Sequence, residues 1–400
     1  MSRAYIYLRP PEASDLVTLG RLEVRGGQGE FVYHPDYVRR NGWVPDAIRY
    51  PLRPQPYSGI RSNGGLPGFI RDAAPDGWGQ KVLAYAARQE LSGIDYLVQS
   101  SNADRSGSLL IGTTRTPSSS GHLDRLDRLE DFIAFAAGIQ SGDRLALTLQ
   151  RAIRQRTSLG GVRPKVSLWE EGRLVLAKPR DRHDLEDIPA FEHACMTFAA
   201  GKGMQVARTR LHRGSVSVLL VDRFDRVASA HGELLRLPML SGATLLDLDW
   251  RALPGGRWRY AELADEMRRR GVPLGDLQEL YRRMCFNALV GNDDDHPKNH
   301  AVIFTAGCWR LSPMFDVVPA LDGMPPPSLA MEVGRLGRAI TRDNLLSHAG
   351  HFGHTREGAA AVLDEVAGWA EELCAHYRDL LTAEQAARVI RAMDATRLQA

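Results

Sequence analysis

The chain has 400 residues, 51 Lys and Arg against 48 Asp and Glu for a formal net charge of +3, and 44% apolar residues. That apolar share supports a packed core and excludes disorder throughout. The near balance of charge gives no argument for nucleic-acid binding by itself, and the length fits two to four domains at roughly 100–200 residues each.

The opening, Met1 to Pro11, sets Arg3 and Arg9 around a short apolar stretch and does not read as a signal peptide. Ala4 to Leu8 and Glu30 to Tyr33 read as strands, and Pro51, Pro54 and Pro56 mark irregular chain. Pro75-Asp76-Gly77 opens a helix expected from about Trp78 to Arg88, and Thr113 to Gly121 is a Ser/Thr/Pro-rich loop. Asp124 to Gln155 is expected to be mostly helical. Strands follow at Lys165 to Trp169, Arg173 to Lys178 and Val216 to Phe224, with a helix at about Ala190 to Gly201 between them. From about Leu245 helices dominate. Leu277, Leu280, Tyr281, Met284 and Ala288 make a helical stripe over Asp276 to Val290, a hairpin covers Ala301 to Leu311, and helix resumes from about Thr341.

The longest apolar runs, such as Phe132 to Ile139, are far short of the roughly 18 residues of a membrane span, so no membrane partner is expected. Four scattered cysteines, Cys195, Cys285, Cys308 and Cys374, suggest neither a disulfide framework nor a cysteine zinc site and point to a reducing cytoplasmic location.

The most informative stretch is Gly291-Asn292-Asp293-Asp294-Asp295-His296-Pro297-Lys298-Asn299-His300, between the striped helix and the hairpin. Phosphoryl transfer needs a carboxylate to orient a hydroxyl, oxygen ligands for Mg²⁺ and cations against phosphate. Protein kinases supply these as an Asp, an Asn five residues later, and another Asp beyond a hairpin. Asp294, Asn299 and Asp316 have that arrangement, and Lys298 is placed to contact the γ-phosphate. An Asp-rich loop after a helix is more often a simple turn. A calcium loop fails, because counting from Asp293 the sixth and twelfth positions hold Lys298 and Phe304 instead of Gly and Glu.

In the strand-rich half, Arg173 to Lys178 is a strand ending in lysine, with Glu192 on the next helix as its ion-pair candidate. Upstream, Gly160, Gly161 and Lys165 offer free backbone N–H groups and a cation to phosphate, although a plain glycine turn fits the same residues. Leu219 to Arg226 reads as the connector between lobes, where backbone groups would meet adenine and Phe224 would line its pocket. A strand with an ion-paired end fits equally well.

Five motifs in order carry a resemblance over nearly the whole chain: Gly64-Gly65-Leu66-Pro67 with Pro75-Asp76-Gly77-Trp78-Gly79, Ser158 to Lys165, Val221 to Arg226, Gly291 to Asn299, and Leu311 to Asp316. The chain resembles the HipA-type toxin kinases of bacterial toxin–antitoxin systems. The resemblance implies a serine/threonine protein kinase using ATP and Mg²⁺. Asp294 would be the catalytic base and Lys298 would assist transfer. Asn299 and Asp316 would hold the metal. Lys178, Glu192, Asp222, Phe224, His296, Gly160, Gly161 and Lys165 would surround the nucleotide. Ser158 would be autophosphorylated to eject its loop and switch the kinase off, with Thr157 beside it as the competing acceptor. The implied partners are a HipB-like helix-turn-helix antitoxin, operator DNA through that antitoxin, and a protein substrate such as an aminoacyl-tRNA synthetase. Asp222, Asp295 and Pro297 depart from the residues usual in the family at those positions.

The expected fold class is α+β: a bilobal, protein-kinase-like chain with a strand-rich N-terminal half, including an extra N-terminal subdomain, and an all-helical C-terminal lobe. The expected regions are residues 1–150 as the HipA-like subdomain, 151–240 as the nucleotide-binding lobe and 241–400 as the mainly helical lobe. Two other readings use the same residues: a phosphotransferase acting on a small molecule or lipid, and a non-catalytic co-repressor working with a DNA-binding partner.

Overall fold

An antiparallel sheet builds the first layer, with strictly alternating burial in its strand Gln28–Tyr33. Ser2–Leu8 (β1), Val17–Arg25 (β2), Gln28–Tyr33 (β3), Tyr57–Ile60 (β4) and Leu109–Gly112 (β5) form an antiparallel sheet in the order β4-β3-β2-β1-β5. The computed structural model describes residues 2–11, 15–87, 91–117, 124–141, 161–228, 234–249 and 257–399. Strands β1 and β3 match the sequence expectation; β2, β4 and β5 were not foreseen. In β2, Leu22 and Val24 alternate with Arg21, Glu23 and Arg25, but Gly20 interrupts the pattern, close to where the β1–β2 register shifts between Ile6 and Tyr7. Two short helices follow, Gly68–Arg71 (α1) and Gly77–Ala87 (α2).

The second sheet is fully antiparallel. Val166–Glu170 (β6), Arg173–Pro179 (β7), Thr209–Arg213 (β8) and Ser217–Asp222 (β9) run in the order β6-β7-β9-β8. Its two faces are both used. Val175 and Ala177 of β7 with Val218 and Leu220 of β9 pack under Trp78 and Val82 of α2 and under Phe132, Phe135 and Ile139 of the helix Leu129–Ser141. Leu219 and Val221 of β9 face the other way, into the main core, against Phe191 and Ala194 of Ile188–Gly201 (α3). Because side chains alternate along a strand, Lys178 shares the face of Leu176 and points away from the α2 side. Of the helix expected over Asp124 to Gln155, Leu129–Ser141 is observed and residues 142–155 lie outside those described.

The C-terminal half packs around Leu274–Val290 (α5), whose expected stripe is buried throughout. Before it lies the short helix Gly242–Leu245 (α4). Thereafter come Arg356–Gly368, Ala370–Leu380 and Ala383–Ala392. The expected hairpin is present, and it does not stand alone. After the small ribbon of Arg226–Ala228 (β10) with Leu234–Arg236 (β11), the strand Met239–Ser241 (β12) joins Ala301–Thr305 (β13) and Cys308–Leu311 (β14) as a three-stranded sheet inside the helical lobe. Among the described residues no helix is long and apolar enough to cross a membrane.

A buried charge cluster ties the first layer to the second. Asp225 accepts from Arg223 Nε at 2.8 Å, Arg226 Nη1 at 2.7 Å and Gly107 N at 2.8 Å. Arg223 also donates to the Asp104 carbonyl at 2.8 Å, and Arg226 to that of Arg105 at 2.5 Å. Burial pushes the Asp225 carboxyl up, but the two guanidiniums win and hold it well below the usual carboxylate range.

Candidate active site

Each functional side chain is placed by a local device. Lys178 sits at the end of β7, paired in register with Leu219. Helix α3 begins at Asp187, whose side chain caps Ala190 N, with Pro189 in the first turn where a missing N–H costs nothing. Its second turn carries Glu192 toward the sheet. Lys178 Nζ lies 2.8 and 3.1 Å from the two Glu192 oxygens. The same ammonium lies 2.7 Å from Asp316 Oδ1. Burial disfavours the charge on Lys178, but Asp316 and Glu192 more than compensate and hold it above the ordinary lysine value. Burial also raises Asp316, and Lys178 with Lys165 reverses this, so Asp316 stays ionised well below the usual range.

Helix α5 ends at Gly291 in the left-handed conformation, φ +67°, which reverses the chain into the Asp-rich loop. Asn292 N returns to the Asn287 carbonyl at 2.9 Å, and Asn292 Nδ2 to Asn287 Oδ1 at 3.2 Å. Asn299 Nδ2 donates to the Asp294 carbonyl at 3.2 Å and closes the loop on itself. Asp294 is exposed at the cavity wall, whereas Asp295 is buried with His300 Nε2 3.0 Å from its Oδ1. The unusual Asp295 therefore serves the loop's interior and does not line the cavity. Beyond the hairpin, Ser312 to Asp316 is pinned from two sides: Arg283 Nη1 donates to the Ser312 carbonyl at 2.8 Å, and Met314 N to the Gln205 carbonyl at 2.8 Å. Asp316 itself has φ +62°, a conformation non-glycine residues rarely adopt, which marks it as held in place by its surroundings.

These groups converge on one cavity of about 380 Å³. Asp294, Lys298, Lys178, Glu192, Asp222, Phe224, His296, Gly161, Lys165, Asn299 and Asp316 all line it. Gly160 and Ser158, with Thr157, lie outside the described residues. Phe224 and Phe315 lie side by side, with ring centroids 5.4 Å apart and the rings tilted by 33°, and form an apolar wall. Asp222 has a second engagement, since Arg173 Nη1 lies 3.4 Å from its Oδ2. The backbone N–H groups after β9 are partly spent, because Asp222 N bonds the Arg208 carbonyl and Arg223 N the Leu174 carbonyl, at 2.9 and 2.8 Å. Lys165 is pushed down to about 8, chiefly by burial and then by Lys178.

The sequence reading missed the contribution of the first layer. Asn63, Arg71, Asp72 and Asp76 also line the cavity, as does Asn292. Lys298 Nζ lies 3.2 Å from Asp76 Oδ2. Burial raises the Asp76 carboxyl, but Lys298, Arg71 and the Gly77 N–H outweigh it and hold it below its usual value. Asp76 and Asn292 stood in the sequence only as members of the motifs Pro75 to Gly79 and Gly291 to Asn299, and neither motif says anything about a contact across the chain.

Residues 157–395 match the model of the HipA-like C-terminal domain, and residues 15–105 that of the HipA N-terminal domain. The chain belongs to the HipA family. Its fold is that of HipA from the Shewanella oneidensis MR-1 toxin–antitoxin system, solved with HipB and its operator DNA; the TM-score is 0.70 at 19% identity, over 99% of this chain and 95% of that one. Two Sinorhizobium fredii proteins provisionally described as kinases are also similar to this HipA-like chain. Y4mE is 27% identical over 199 residues, 45% of this chain and 46% of Y4mE; Y4dM is 25% identical over 233 residues, 51% of this chain and 55% of Y4dM. The matched region thus spans about half the length of these curated relatives. The α+β, kinase-like architecture expected from the sequence is the one observed.

Proposed function

We propose that this chain is an ATP- and Mg²⁺-dependent serine/threonine protein kinase of the toxin type. One observation carries the reading: Lys178 paired with Glu192, and Asp294, Asn299 and Asp316, reach a single cavity from both halves of the chain. That is the set of groups phosphoryl transfer asks for, since catalysis there is mostly positioning and charge stabilisation. Lys178 and Lys165 bring positive charge to the phosphates. The Phe224–Phe315 wall suits a purine face. His296 Nδ1, buried with no protein hydrogen-bond partner, suits a polar atom of a bound nucleotide. Asp294, exposed at the wall, orients the acceptor hydroxyl and takes its proton.

The donor set fits Mg²⁺. Asn299 and Asp316 offer hard oxygen atoms, and among the described residues no group of three or more His, Cys, Asp or Glu could hold a metal on protein ligands alone. A cation here would complete its shell with phosphate oxygens and water, as Mg²⁺ does. When bound, it would neutralise charge on the transferring phosphate.

The finer features follow from family membership and stay part of this proposal. Ser158, or Thr157 beside it, is the self-modification site; the protein substrate is an aminoacyl-tRNA synthetase; and a HipB-like helix-turn-helix antitoxin in the cytoplasm neutralises the chain and carries it to operator DNA. The test is incubation of the purified protein with MgATP, followed by mass-spectrometric mapping of phosphate on the chain and on added tRNA synthetases. Phosphoserine or phosphothreonine absent from an Asp294→Asn control supports the reading, and a chain that binds ATP yet modifies only small molecules or lipids overturns it.

A further inference from the structure

The segment Asp76-Gly77-Trp78 touches both phosphate-facing parts of the cavity at once. On one side the Asp76 carboxylate meets Lys298 of the Asp-rich loop at 3.2 Å. On the other, Trp78 N donates to the Gly161 carbonyl at 2.8 Å. The fit between them leaves no room for a side chain, because a Cβ on Gly77 would fall 2.8 Å from Val162 Cα and 2.9 Å from Gly161 O. The segment is itself rigid. Asp76 Oδ1 accepts from Gly77 N at 2.7 Å, Arg71 Nη2 lies 3.7 Å away, and the Trp78 ring is buried against the β6–β7–β9 sheet. Four residues upstream, Asp72 accepts from Ser241 N and Oγ at 2.8 and 2.6 Å, and the adjoining Gly242 N donates to the His300 carbonyl at 2.7 Å. The first layer therefore grips the Asp-rich loop at two points, Lys298 directly and His300 through Ser241 and Gly242.

A lysine on its four-carbon stem loses rotamer entropy when it is fixed. A buried carboxylate that fixes it before the nucleotide arrives removes that cost from the transfer step. We propose that Asp76 is a positioning residue for phosphoryl transfer: it holds the Lys298 ammonium in the cavity, on a segment that also sets Gly161, so the N-terminal layer is part of the catalytic apparatus. The inference rests on the kinase reading above and assigns no chemistry to Asp76 itself.

The test compares phosphate-transfer kinetics of the full chain with Asp76→Asn, Asp76→Glu, Lys298→Gln and the Asp76→Asn/Lys298→Gln double variant. Asp76→Asn keeps the size and the acceptor for Gly77 N but loses the charge. It is expected to lower kcat on the order of 10- to 100-fold while KM for ATP moves by no more than about threefold. Asp76→Glu restores part of kcat. Lys298→Gln reproduces the kcat loss from the other side of the contact, and the double variant is no slower than Lys298→Gln alone, since Asp76 acts through that lysine. Wild-type kcat in Asp76→Asn or in Lys298→Gln overturns the proposal, as does an equal further loss when Asp76→Asn is added to Lys298→Gln. A wild-type chain that transfers no phosphate from MgATP fails differently, because it removes the kinase reading before any variant is compared.

Discussion

A single ammonium, Lys178, is shared by two carboxylates that belong to different halves of the chain, Glu192 at 2.8 Å and Asp316 at 2.7 Å. Neutralising it would leave the buried Glu192 without its cation and the partly exposed Asp316 without its nearest one, so Lys178→Met is expected to cost on the order of 3 kcal/mol of stability, chiefly through Glu192 and read as a lowered denaturation midpoint, as well as ATP affinity. Lys165 gives a pH prediction. Its value of about 8 means that the ammonium is partly deprotonated near that pH. Polyphosphate favours the charged form, so under the proposed function MgATP binding is expected to raise the Lys165 value and take up a proton near pH 8. Calorimetric titration in buffers of different ionisation enthalpy will detect that proton, and Lys165→Gln will abolish it. The same sign makes ATP affinity fall as pH rises through about 8. Much of this was legible in the sequence, because Asp294, Asn299 and Asp316 follow each other through one loop and one hairpin. Asp76 was not, because its contact with Lys298 spans 222 positions and no local pattern encodes it.

Helix ends do as much for the site as side chains. Gly291 closes α5 at φ +67°, and a Cβ there would fall 2.9 Å from Pro326 Cδ. Gly291→Ala is expected to destabilise the protein by roughly 1–2 kcal/mol, measured by chemical denaturation, and to slow transfer, because the loop it launches carries Asp294. Gly242, where a Cβ would fall 2.5 Å from the Pro297 carbonyl, is constrained by the same loop. At this scale the long, periodic elements were readable: every residue of the α5 stripe is buried as expected. The short strands β4 and β5 were not, since four residues each offer too little alternation to separate from turn. Strand β12 was hidden for another reason: it gains its place by pairing with β13, whose Ala301 lies opposite Ser241 far along the chain.

Across the whole molecule, the Arg223–Asp225–Arg226 cluster holds the first layer in register with the second. Removing its carboxylate leaves buried guanidiniums without a counter-charge, so Asp225→Ala is expected to cost about 3–5 kcal/mol. It should also expose the 102–107 segment to limited proteolysis. With its carboxyl depressed, Asp225 contributes stability that is present above the ordinary carboxylate pKa of 3.8 and is lost as pH falls below it. The motif Val221 to Arg226 was visible in sequence, but only the fold shows that its last three charges, Arg223, Asp225 and Arg226, serve the junction between layers.

Under the proposed function one cavity binds MgATP and Asp294 drives transfer from it. The most direct measurement pairs calorimetric MgATP affinity with single-turnover phosphate transfer, in the wild-type chain and in Asp294→Asn and Asp316→Asn. Asp294→Asn is expected to bind MgATP within a few-fold of wild type but to lose transfer by on the order of 10²–10⁴-fold, whereas Asp316→Asn is expected to lose the Mg²⁺ dependence of binding as well. Wild-type transfer by Asp294→Asn, or MgATP binding indifferent to Mg²⁺ in the wild-type chain, would contradict it.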